Sequence, residues 1–447
     1  MIGKLFSYVD TAWNDDRTIV SFRYIVEIDE KSFELEETLE LPVSAPNNEL
    51  IEQITRSIHL ALGISYYKAF IPPELTHPYA MDENEAAFWN SVYRNGLGEF
   101  LFKNQLPADK LAQFHEQKGK LMAESDQDLE DTALLGIGGG KDSIVAGELL
   151  KAIGLESKGF VLATGETLGQ AKAVADIMNI PMQPIKRQLD LQILDINKME
   201  GSYNGHVPIS LTFALTGCLL AACESSKYVI VANESSASIP QVKWGGQNVN
   251  HQWSKSLDFE VMFQKYVHDY ISTDMQYFSA IRPLSSLAIA KIFSKYPQYF
   301  EVFTSDNSVF KIKQGQRTHP RWSTDSPKSL SSYILLAPYL SDDELMQTFG
   351  RDFLDMPELE ELFVSLLGRS NTPILDCVGT PDELLYSLQV LHNANRFSSS
   401  ALMKKAVAEG LFNRVNQVSQ NVKVIDTHAI PEKISKKLIS EMEKNLS

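Results

Sequence analysis

Cysteine is scarce in this sequence. Only Cys218, Cys223 and Cys377 occur among 447 residues, and their spacing matches neither a disulfide framework nor a zinc-ligand pattern. Secreted domains that depend on disulfides carry many more cysteines for their length. The cysteine content therefore predicts a reduced, cytoplasmic protein.

Basic residues are also in deficit. Lys and Arg together number 41 against 57 Asp and Glu, which gives a formal net charge of −16 at pH 7. Nucleic-acid phosphates repel a surface of that sign, so the composition argues against a general nucleic-acid binder. We expect no nucleic-acid partner.

Long hydrophobic runs are missing as well. The most apolar stretch, residues 207–223, is short for a membrane span and contains serine, threonine and glycine. We interpret it as a buried helix. Residues 1–16 alternate apolar with charged side chains, so they lack the apolar core of a signal peptide. The expectation is a cytoplasmic protein without a membrane partner.

The sequence does contain a glycine-rich turn at residues 134–143. It reads Leu, Leu, Gly, Ile, Gly, Gly, Gly, Lys, Asp, Ser, and apolar residues then follow at helical spacing, which predicts a strand, a tight turn and a helix. Glycines let the backbone approach an anion, and the amino end of a helix attracts negative charge. We predict a phosphate-binding loop formed by Gly138, Gly139, Gly140, Lys141, Asp142 and Ser143.

Two common nucleotide-binding loops do not fit this turn. A P-loop requires Ser or Thr after its lysine, but Asp142 follows Lys141. A dinucleotide-binding turn begun at Gly136 requires a glycine at position 141. The turn instead resembles the Ser-Gly-Gly-x-Asp-Ser loop of the PP-loop ATP pyrophosphatases, with Gly138 in place of the first serine. This resemblance implies ATP as a ligand. Asp142 is suited to hold Mg²⁺, and Ser143 to cap the helix or to bond a phosphate oxygen.

Strand and helix patterns alternate from residue 132 onward. The predicted strands are 133–137, 158–163, 182–186 and 228–232, and the predicted helices are 143–153, 167–179 and 208–225. This order predicts an α/β fold with a mostly parallel, doubly wound sheet, similar to the PP-loop ATP pyrophosphatases.

The regions before and after this sheet have different patterns. A predicted hairpin at 18–41 and helical spacing between 51 and 102 indicate a small α+β domain, joined to the sheet by a polar, helix-prone segment at 109–131. Helical patterns recur between 342 and 446. The predicted domains are therefore 1–125 (N-terminal α+β), 126–300 (ATP-binding α/β) and 301–447 (mainly helical).

Ligands of parallel sheets bind where strands end. Besides the glycine-rich turn, this rule selects Thr164 after the second predicted strand, and Asn233 and Glu234 after the strand at 228–232. We predict that these three residues contact the nucleotide. The alternative is ordinary turn chemistry at the end of a strand.

Two further stretches concentrate polar side chains. His206 lies at the predicted start of the apolar helix, and residues 248–256 combine amides such as Asn250 with His251 and Lys255. A lone histidine is more often structural than catalytic. Its amide-rich surroundings nevertheless favour His251 as part of a binding surface for a polar, anionic substrate.

These stretches also carry a family resemblance. They resemble the ATP-dependent epimerase family MurL, and the likeness extends over most of the chain. The segments that carry it are 95–100, 205–208, 232–237, 249–256, 259–260, 277–279, 281–284, 377–379 and 382–383. The resemblance implies an enzyme that converts the terminal L-Glu of UDP-N-acetylmuramoyl-L-Ala-L-Glu to D-Glu for peptidoglycan synthesis. It also implies ATP and Mg²⁺ as cofactors, AMP and pyrophosphate as products, and a functional pairing with a ligase that adds L-Glu.

The implied chemistry begins with adenylation of a carboxylate, after which a side-chain base removes the neighbouring α-proton. His206, His251, Lys255 and Cys377 are the candidates for proton transfer. A free cysteine is more commonly a small buried apolar residue, so that alternative stays open for Cys377. Asn250 and Arg282 are candidates for gripping the substrate, since a guanidinium suits phosphate or carboxylate.

The chain departs from the family in one region. Members of the family carry a cysteine cluster where this chain has Ser323, Ser326 and Ser329, and another cysteine at the position of Asp306. Neutral serine is a poor zinc ligand, so we predict no structural metal there.

Two other functions remain open at this point. One is a different PP-loop enzyme that adenylates its substrate and then delivers ammonia or sulfur, as 7-cyano-7-deazaguanine synthase and tRNA thiolases do. The other is a nucleotide-binding protein without turnover.

Overall fold

The described strands form one large sheet and one small hairpin. The computed structural model of the protein describes residues 2–119, 128–163, 167–306, 321–370, 373–414 and 422–447. Its strands are β1 (Gly3–Trp13), β2 (Ile19–Ile28), β3 (Lys31–Glu40), β4 (Glu74–Thr76), β5 (Glu130–Gly136), β6 (Ser157–Ala163), β7 (Met182–Gln188), β8 (Ser226–Val231), β9 (Val242–Trp244), β10 (Gln247–Val249) and β11 (Gln276–Ser279). Its helices are α1 (Glu49–Tyr67), α2 (Glu83–Gly96), α3 (Gly98–Lys103), α4 (Lys141–Ala152), α5 (Thr167–Met178), α6 (Gln192–Ile196), α7 (Ile209–Cys223), α8 (Leu257–Tyr270), α9 (Ser286–Phe293), α10 (Pro327–Leu336), α11 (Asp342–Phe349), α12 (Glu360–Leu366), α13 (Pro381–Asn393), α14 (Ala401–Ala408) and α15 (Glu432–Leu446).

The large sheet has the strand order β11-β8-β5-β6-β7-β3-β2-β1-β4. Every neighbouring pair from β11 to β7 is parallel. This arrangement confirms the predicted α/β class with a mostly parallel sheet, and it places β5, which precedes the glycine-rich turn, between β8 and β6.

The N-terminal strands continue the same sheet. The predicted hairpin is confirmed as β2 and β3, and β3 pairs with β7 in the antiparallel direction, with Leu39 opposite Arg187. Arg187 also forms a buried ion pair with Glu37 of β3. The three-part domain division stays a prediction, and its first boundary falls between strands that share one sheet.

Each face of the sheet carries its own hydrophobic core. Leu134 of β5 belongs to one core together with residues of α1, α7 and α8. Its neighbour Leu135 belongs to the other, together with residues of α4, α9 and the C-terminal helices. Successive side chains of a strand point to opposite faces, so a strand covered on both sides is apolar throughout. The helical C-terminal region covers the second face.

The segment that leads into β5 differs from its prediction. We predicted residues 109–131 to be helix-prone, but the described residues 111–119 contain no helix. Two backbone N–H groups there bond to side chains instead. Ala112 donates to Tyr67 Oη at 2.7 Å, and Phe114 donates to Asn90 Oδ1 at 2.7 Å. These tertiary contacts satisfy the backbone without a helix.

The apolar stretch 207–223 forms α7, a buried helix as predicted. The hydroxyl of the buried Thr216 is satisfied within the helix, since its Oγ1 donates to the carbonyl oxygen of Thr212 at 2.8 Å. Nowhere in the described ranges is there a helix both long enough and apolar enough to cross a membrane.

Gly217 allows α7 to approach the sheet closely. A Cβ atom at this position would lie 2.7 Å from Phe160 Cζ and 2.8 Å from Val229 Cγ1. We expect Gly217→Val to lower the free energy of unfolding by about 2 kcal/mol, because overpacked cores cost about 1–3 kcal/mol. Chemical denaturation monitored by circular dichroism measures the change. Gly169→Ala is the matched control, since Gly169 is exposed in α5 with open space beside it. Equal stability of Gly217→Val and wild type would refute the close packing.

Candidate active site

The centre of the parallel sheet contains a topological switch point. From β5 the chain moves to β6 and β7 on one side, and then crosses to β8 and β11 on the other. The loops after β5 and β8 therefore diverge at the same edge of the sheet, where ligands of open α/β sheets bind. Residues 137–140 form the first loop, and residues 232–234 begin the second.

The first loop has the geometry expected of a glycine-rich turn. Gly139 has φ = +87°, a conformation that side chains disfavour. Helix α4 begins at Lys141 with Gly140 as its N-cap, and no side chain among the described residues caps it. Ser143 Oγ donates to the carbonyl oxygen of Gly140 at 3.0 Å, so Ser143 does not cap the helix, and the alternative role, a bond to a phosphate oxygen, stays a prediction. The first backbone N–H groups of α4 have no acceptor within the helix, so they can donate hydrogen bonds to a bound anion.

A segment from beyond α9 lies against this loop. The backbone N–H of Thr304 donates to the carbonyl oxygen of Gly139 at 3.2 Å, and a Cβ atom at Gly140 would lie 3.3 Å from Ser305 Oγ. Gly138, in contrast, has no atom of a described residue within 4 Å of its Cβ position, apart from its own chain neighbours. The open side of the loop is therefore at Gly138.

One polar pocket adjoins the two loops. It brings together six residues predicted from the sequence: Lys141, Asp142, Asn233, Glu234, Lys255 and Cys377. Further polar lining residues were not predicted: Gln252, Ser286, Ser305, Lys328, Ser331 and Ser332. Gln252 lies inside the amide-rich run that the sequence singled out, whereas no local pattern distinguishes Lys328 or the serines of α10.

Lys141 places a positive charge at the base of the pocket. Its side chain is 8% exposed, and its Nζ lies 2.6 Å from Asp142 Oδ1. Burial acts to lower the pKa of Lys141, but the carboxylates of Asp142 and Glu234 outweigh burial and raise it. Lys141 is therefore a permanent cation beside the glycine-rich loop.

Glu234 is a buried carboxyl group with an altered acidity. It accepts hydrogen bonds from Ser236 Oγ at 2.5 Å and from Ser286 Oγ. Burial raises the pKa of Glu234 to about 7, although the nearby charge of Lys141 acts in the opposite direction. The group can therefore gain or lose a proton near neutral pH.

Lys255 and Cys377 meet in the same pocket although they are 122 residues apart. Lys255 Nζ lies 3.5 Å from Cys377 Sγ, and the sulfur also lies 2.6 Å from Gln252 Oε1. The Coulomb interaction with Cys377 is the largest cause that raises the pKa of Lys255, and burial opposes it. An ammonium group in this position stabilises negative charge on the sulfur.

The two predicted histidines form a separate cluster beside this pocket. His251 Nδ1 hydrogen-bonds to Glu99 Oε2, and His206 Nδ1 lies 3.3 Å from the same oxygen. Burial raises the pKa of Glu99, but hydrogen bonds from His251 and Lys103 outweigh burial and lower it to about 2. Burial lowers the pKa of His206 to about 4, with the charges of His251 and Lys255 acting in the same direction.

Arg282 and Asn250 support the pocket from outside its lining. The Arg282 guanidinium is buried and donates to Glu260 and to the main-chain carbonyl oxygens of Glu234 and Lys255. Asn250 Nδ2 donates to the carbonyl oxygen of Ala237 at 2.8 Å. Neither side chain is among the residues that line this pocket, and their predicted contacts with the substrate stay predictions. The predicted nucleotide ligand Thr164 lies outside the described residues.

The serine-rich region that departs from the family pattern is organised by Asp306. This buried carboxylate accepts from the backbone N–H of Ser323 at 2.7 Å and from Ser329 Oγ at 3.2 Å. Ser326 is the N-cap residue of α10. The predicted lack of a structural metal stays a prediction. In the described structure, hydrogen bonds to the Asp306 carboxylate link Ser323 and Ser329.

The fold and the pocket define an α/β protein with a polar pocket at the switch point of a parallel sheet. Comparisons with known proteins identify the family within this class. Residues 2–280 match the MurL N-terminal domain, and residues 302–421 match the MurL C-terminal domain. The chain belongs to the MurL family.

Named relatives extend over most of the chain. A protein of Xanthomonas oryzae pv. oryzae (strain MAFF 311018) is 32% identical over 382 residues, which cover 84% of each chain. A protein of Micromonospora sp. (strain ATCC 39149 / NRRL 15099 / SCC 1413) is 30% identical, with coverage of 83% of this chain and 82% of the relative. A third, from Salinispora tropica, is 31% identical over 358 residues, which cover 79% of this chain and 77% of the relative. Each is named UDP-N-acetyl-alpha-D-muramoyl-L-alanyl-L-glutamate epimerase.

Gly138 and Gly139 of the glycine-rich loop differ in how well each position tolerates a side chain. We expect Gly139→Ala to lower the free energy of unfolding by about 1–2 kcal/mol, because its positive φ disfavours a side chain. The new Cβ would also lie 2.5 Å from Gln170 Cγ. Gly138→Ser is the matched control and is expected to be neutral, because the space beside Gly138 is open. Urea denaturation compares the two variants. Equal losses of stability would contradict this description of the loop.

The acidity of Glu234 predicts a pH dependence of stability. The folded pKa of about 7 lies above the ordinary value of 4.5, so this group stabilises the fold most below pH 4.5. That contribution is lost as the pH rises through 7. We expect Glu234→Gln to lose less stability than wild type between pH 5 and pH 8 in thermal unfolding. Parallel pH profiles of the two proteins would contradict the raised pKa.

Proposed function

We propose that this chain is an ATP-dependent epimerase that inverts the glutamate α-carbon of UDP-N-acetylmuramoyl-L-alanyl-L-glutamate. The names of the relatives support the reaction and the substrate. The observation that carries the proposal is the pocket at the switch point. There the glycine-rich loop with Lys141 and Asp142 faces Lys255 and Cys377, so a site suited to phosphates adjoins a site suited to proton transfer.

The proposed use of ATP is to make the α-proton of the glutamate acidic enough to be removed. A free carboxylate hardly acidifies its own α-carbon, because the enolate formed by proton loss would place a second negative charge on the same group. Adenylation of the carboxylate removes its charge and releases pyrophosphate. The carbonyl group then withdraws electrons, which brings the α-proton within reach of a side-chain base. A solvent-derived proton adds to the α-carbon on the other face, the base releases the first proton to solvent, and water cleaves the acyl-adenylate, which yields a terminal D-Glu and AMP.

The residues around the glycine-rich loop fit a nucleotide with Mg²⁺. The uncapped start of α4, the open side of the loop at Gly138 and the cation of Lys141 suit a phosphate chain. Asp142 and Glu234 offer carboxylate oxygens, the ligands that Mg²⁺ prefers, and Asn233 adds an amide oxygen. Mg²⁺ bound there would offset phosphate charge. This arrangement resembles a PP-loop site, with Thr164 as a further proposed contact.

Cys377 is the proposed base on one face of the substrate carbon. Its sulfur takes the α-proton as a thiolate, and the electron pair of the broken C–H bond passes into the enolate. Lys255 Nζ is only 3.5 Å from that sulfur. A substrate carbon between two proton-transfer groups lies about 3–3.5 Å from each of them. Lys255 Nζ and Cys377 Sγ are therefore too close to each other to lie on opposite faces of that carbon. Lys255 therefore acts from the same side as Cys377, as the cation that balances the thiolate.

The histidines have a different relation to the reaction. His206 and His251 do not line the described pocket, so proton transfer is assigned here to Cys377 and not to them. A ligase that adds L-Glu to the muramoyl peptide would supply the substrate. The protein then works in the cytoplasm, where such nucleotide-linked precursors are assembled.

Deuterium incorporation tests the proposed reaction. The full chain is incubated with UDP-N-acetylmuramoyl-L-Ala-L-Glu, ATP and Mg²⁺ in deuterium oxide. Chiral chromatography with mass spectrometry then follows glutamate, and ³¹P NMR follows the nucleotides. We expect D-Glu that carries deuterium at the α-carbon, together with AMP and pyrophosphate. Formation of ADP, or inversion without ATP, would overturn the proposal.

Variants separate the two halves of this chemistry. Asp142→Asn should lose AMP formation, whereas Cys377→Ser should keep folding but lose deuterium incorporation by about 10²–10⁴-fold, the range of general acid–base catalysis. Cys223→Ser is the matched control, because this cysteine lies at the end of α7 away from the pocket lining. If Cys377→Ser retained wild-type incorporation, the base would have to be another group.

A further inference from the structure

Glu99, His206 and His251 converge although they come from separate parts of the chain. Glu99 is on α3, His206 precedes α7, and His251 follows β10. One ligand atom from each lies within 4.8 Å of the others. The Glu99 side chain is 5% exposed, while His206 and His251 are 22% and 18% exposed. The cluster is therefore nearly buried and still open to a small ion.

The orientation of these groups suits a metal ion. Lys103 Nζ lies 2.5 Å from Glu99 Oε1, which leaves Oε2 directed toward the two histidines. Both histidines present Nδ1 to that oxygen, and their ring centroids are 4.7 Å apart. Metal–ligand distances of about 2.0–2.2 Å place neighbouring ligand atoms roughly 3–3.5 Å apart. The separation of 3.3 Å between His206 Nδ1 and Glu99 Oε2 falls in this range. His251 Nδ1 is hydrogen-bonded directly to Glu99 Oε2, so a bound ion would replace the proton of that hydrogen bond and move the two atoms apart.

Neighbouring side chains hold the two histidine-bearing loops in place. The backbone N–H of His251 donates to Gln241 Oε1 at 2.8 Å. The loop before His206 is held at Asn204, whose Oδ1 accepts from Lys68 Nζ at 2.9 Å and whose carbonyl oxygen accepts from Asn104 Nδ2 at 3.2 Å. Ligands held in advance by such outer contacts lose less freedom when they bind a metal.

We propose that Glu99, His206 and His251 bind one divalent transition-metal ion, for which Zn²⁺ is the probe of choice. Two imidazole nitrogens and one carboxylate oxygen form a ligand set that binds such ions with coordination positions left open. This site is separate from the Mg²⁺ proposed at Asp142, which uses oxygen ligands. It also gives His206 and His251 a role as ligands that is independent of the proposed epimerase chemistry.

Metal binding to the full chain tests this proposal directly. Protein stripped with a chelator is titrated with Zn²⁺ against a chromogenic chelator, and bound metal is counted by mass spectrometry. We expect one tight Zn²⁺ per wild-type chain. Glu99→Gln and His206→Ala should each weaken it by at least about 100-fold, since even outer contacts of metal sites contribute 10–100-fold. Circular dichroism confirms that the variants fold.

Two control variants exclude other binding groups. His268→Asn removes an exposed histidine, and Cys377→Ser removes the pocket thiol. Neither is expected to change the tight site. The absorption spectrum of Co²⁺-loaded wild type adds a measurement that needs no variant, because bound nitrogen ligands shift its visible bands. Zn²⁺ binding that survives Glu99→Gln, or that disappears with Cys377→Ser, would overturn the proposal, as would a Co²⁺ spectrum without nitrogen ligands.

Discussion

The buried ion pair between Arg282 and Glu260 is the contact on which the pocket depends. Both side chains are 1% exposed, and Arg282 donates to Glu260 Oε2 through Nε at 3.0 Å and Nη2 at 2.8 Å. The same guanidinium donates to the carbonyl oxygens of Glu234 and Lys255, each at 2.6 Å. A rigid, planar group thus sets the spacing between two pocket residues. Removal of one partner from such a pair costs about 3–5 kcal/mol, because a buried charge is left uncompensated.

The pocket also resolves an apparent conflict between net charge and ligand. A chain with a net charge of −16 is a poor general site for anions, yet Lys141, Lys255 and Lys328 all line the pocket. Their partners are fixed nearby, as with Lys328 Nζ at 3.6 Å from Asp376 Oδ1. Charges at short range in a partly buried site outweigh distant surface charges, which salt screens. Local arrangement therefore decides what the pocket can hold.

The N-terminal region contributes to the site as well as to the sheet. Its helix α3 supplies Glu99, and Lys68 and Asn104 hold the loop that carries His206. The pairing of β3 with β7 joins this region to the parallel strands. Consequently the histidine cluster forms only when the N-terminal region and the parallel sheet fold together. A separate N-terminal domain, as expected from the change in sequence pattern, would not by itself produce that cluster.

The sequence by itself determined the features that depend on neighbouring residues. The strand before Gly138, the start of α4, the buried helix α7 and most C-terminal helices follow from apolar spacing and turn residues, which act within a few positions of the chain. Only the tertiary structure decided that Cys377 meets Lys255, that Arg282 supports the pocket from behind, and that the N-terminal strands extend the parallel sheet. Such contacts join residues far apart in the chain, and a local pattern does not record which distant surfaces will pack together.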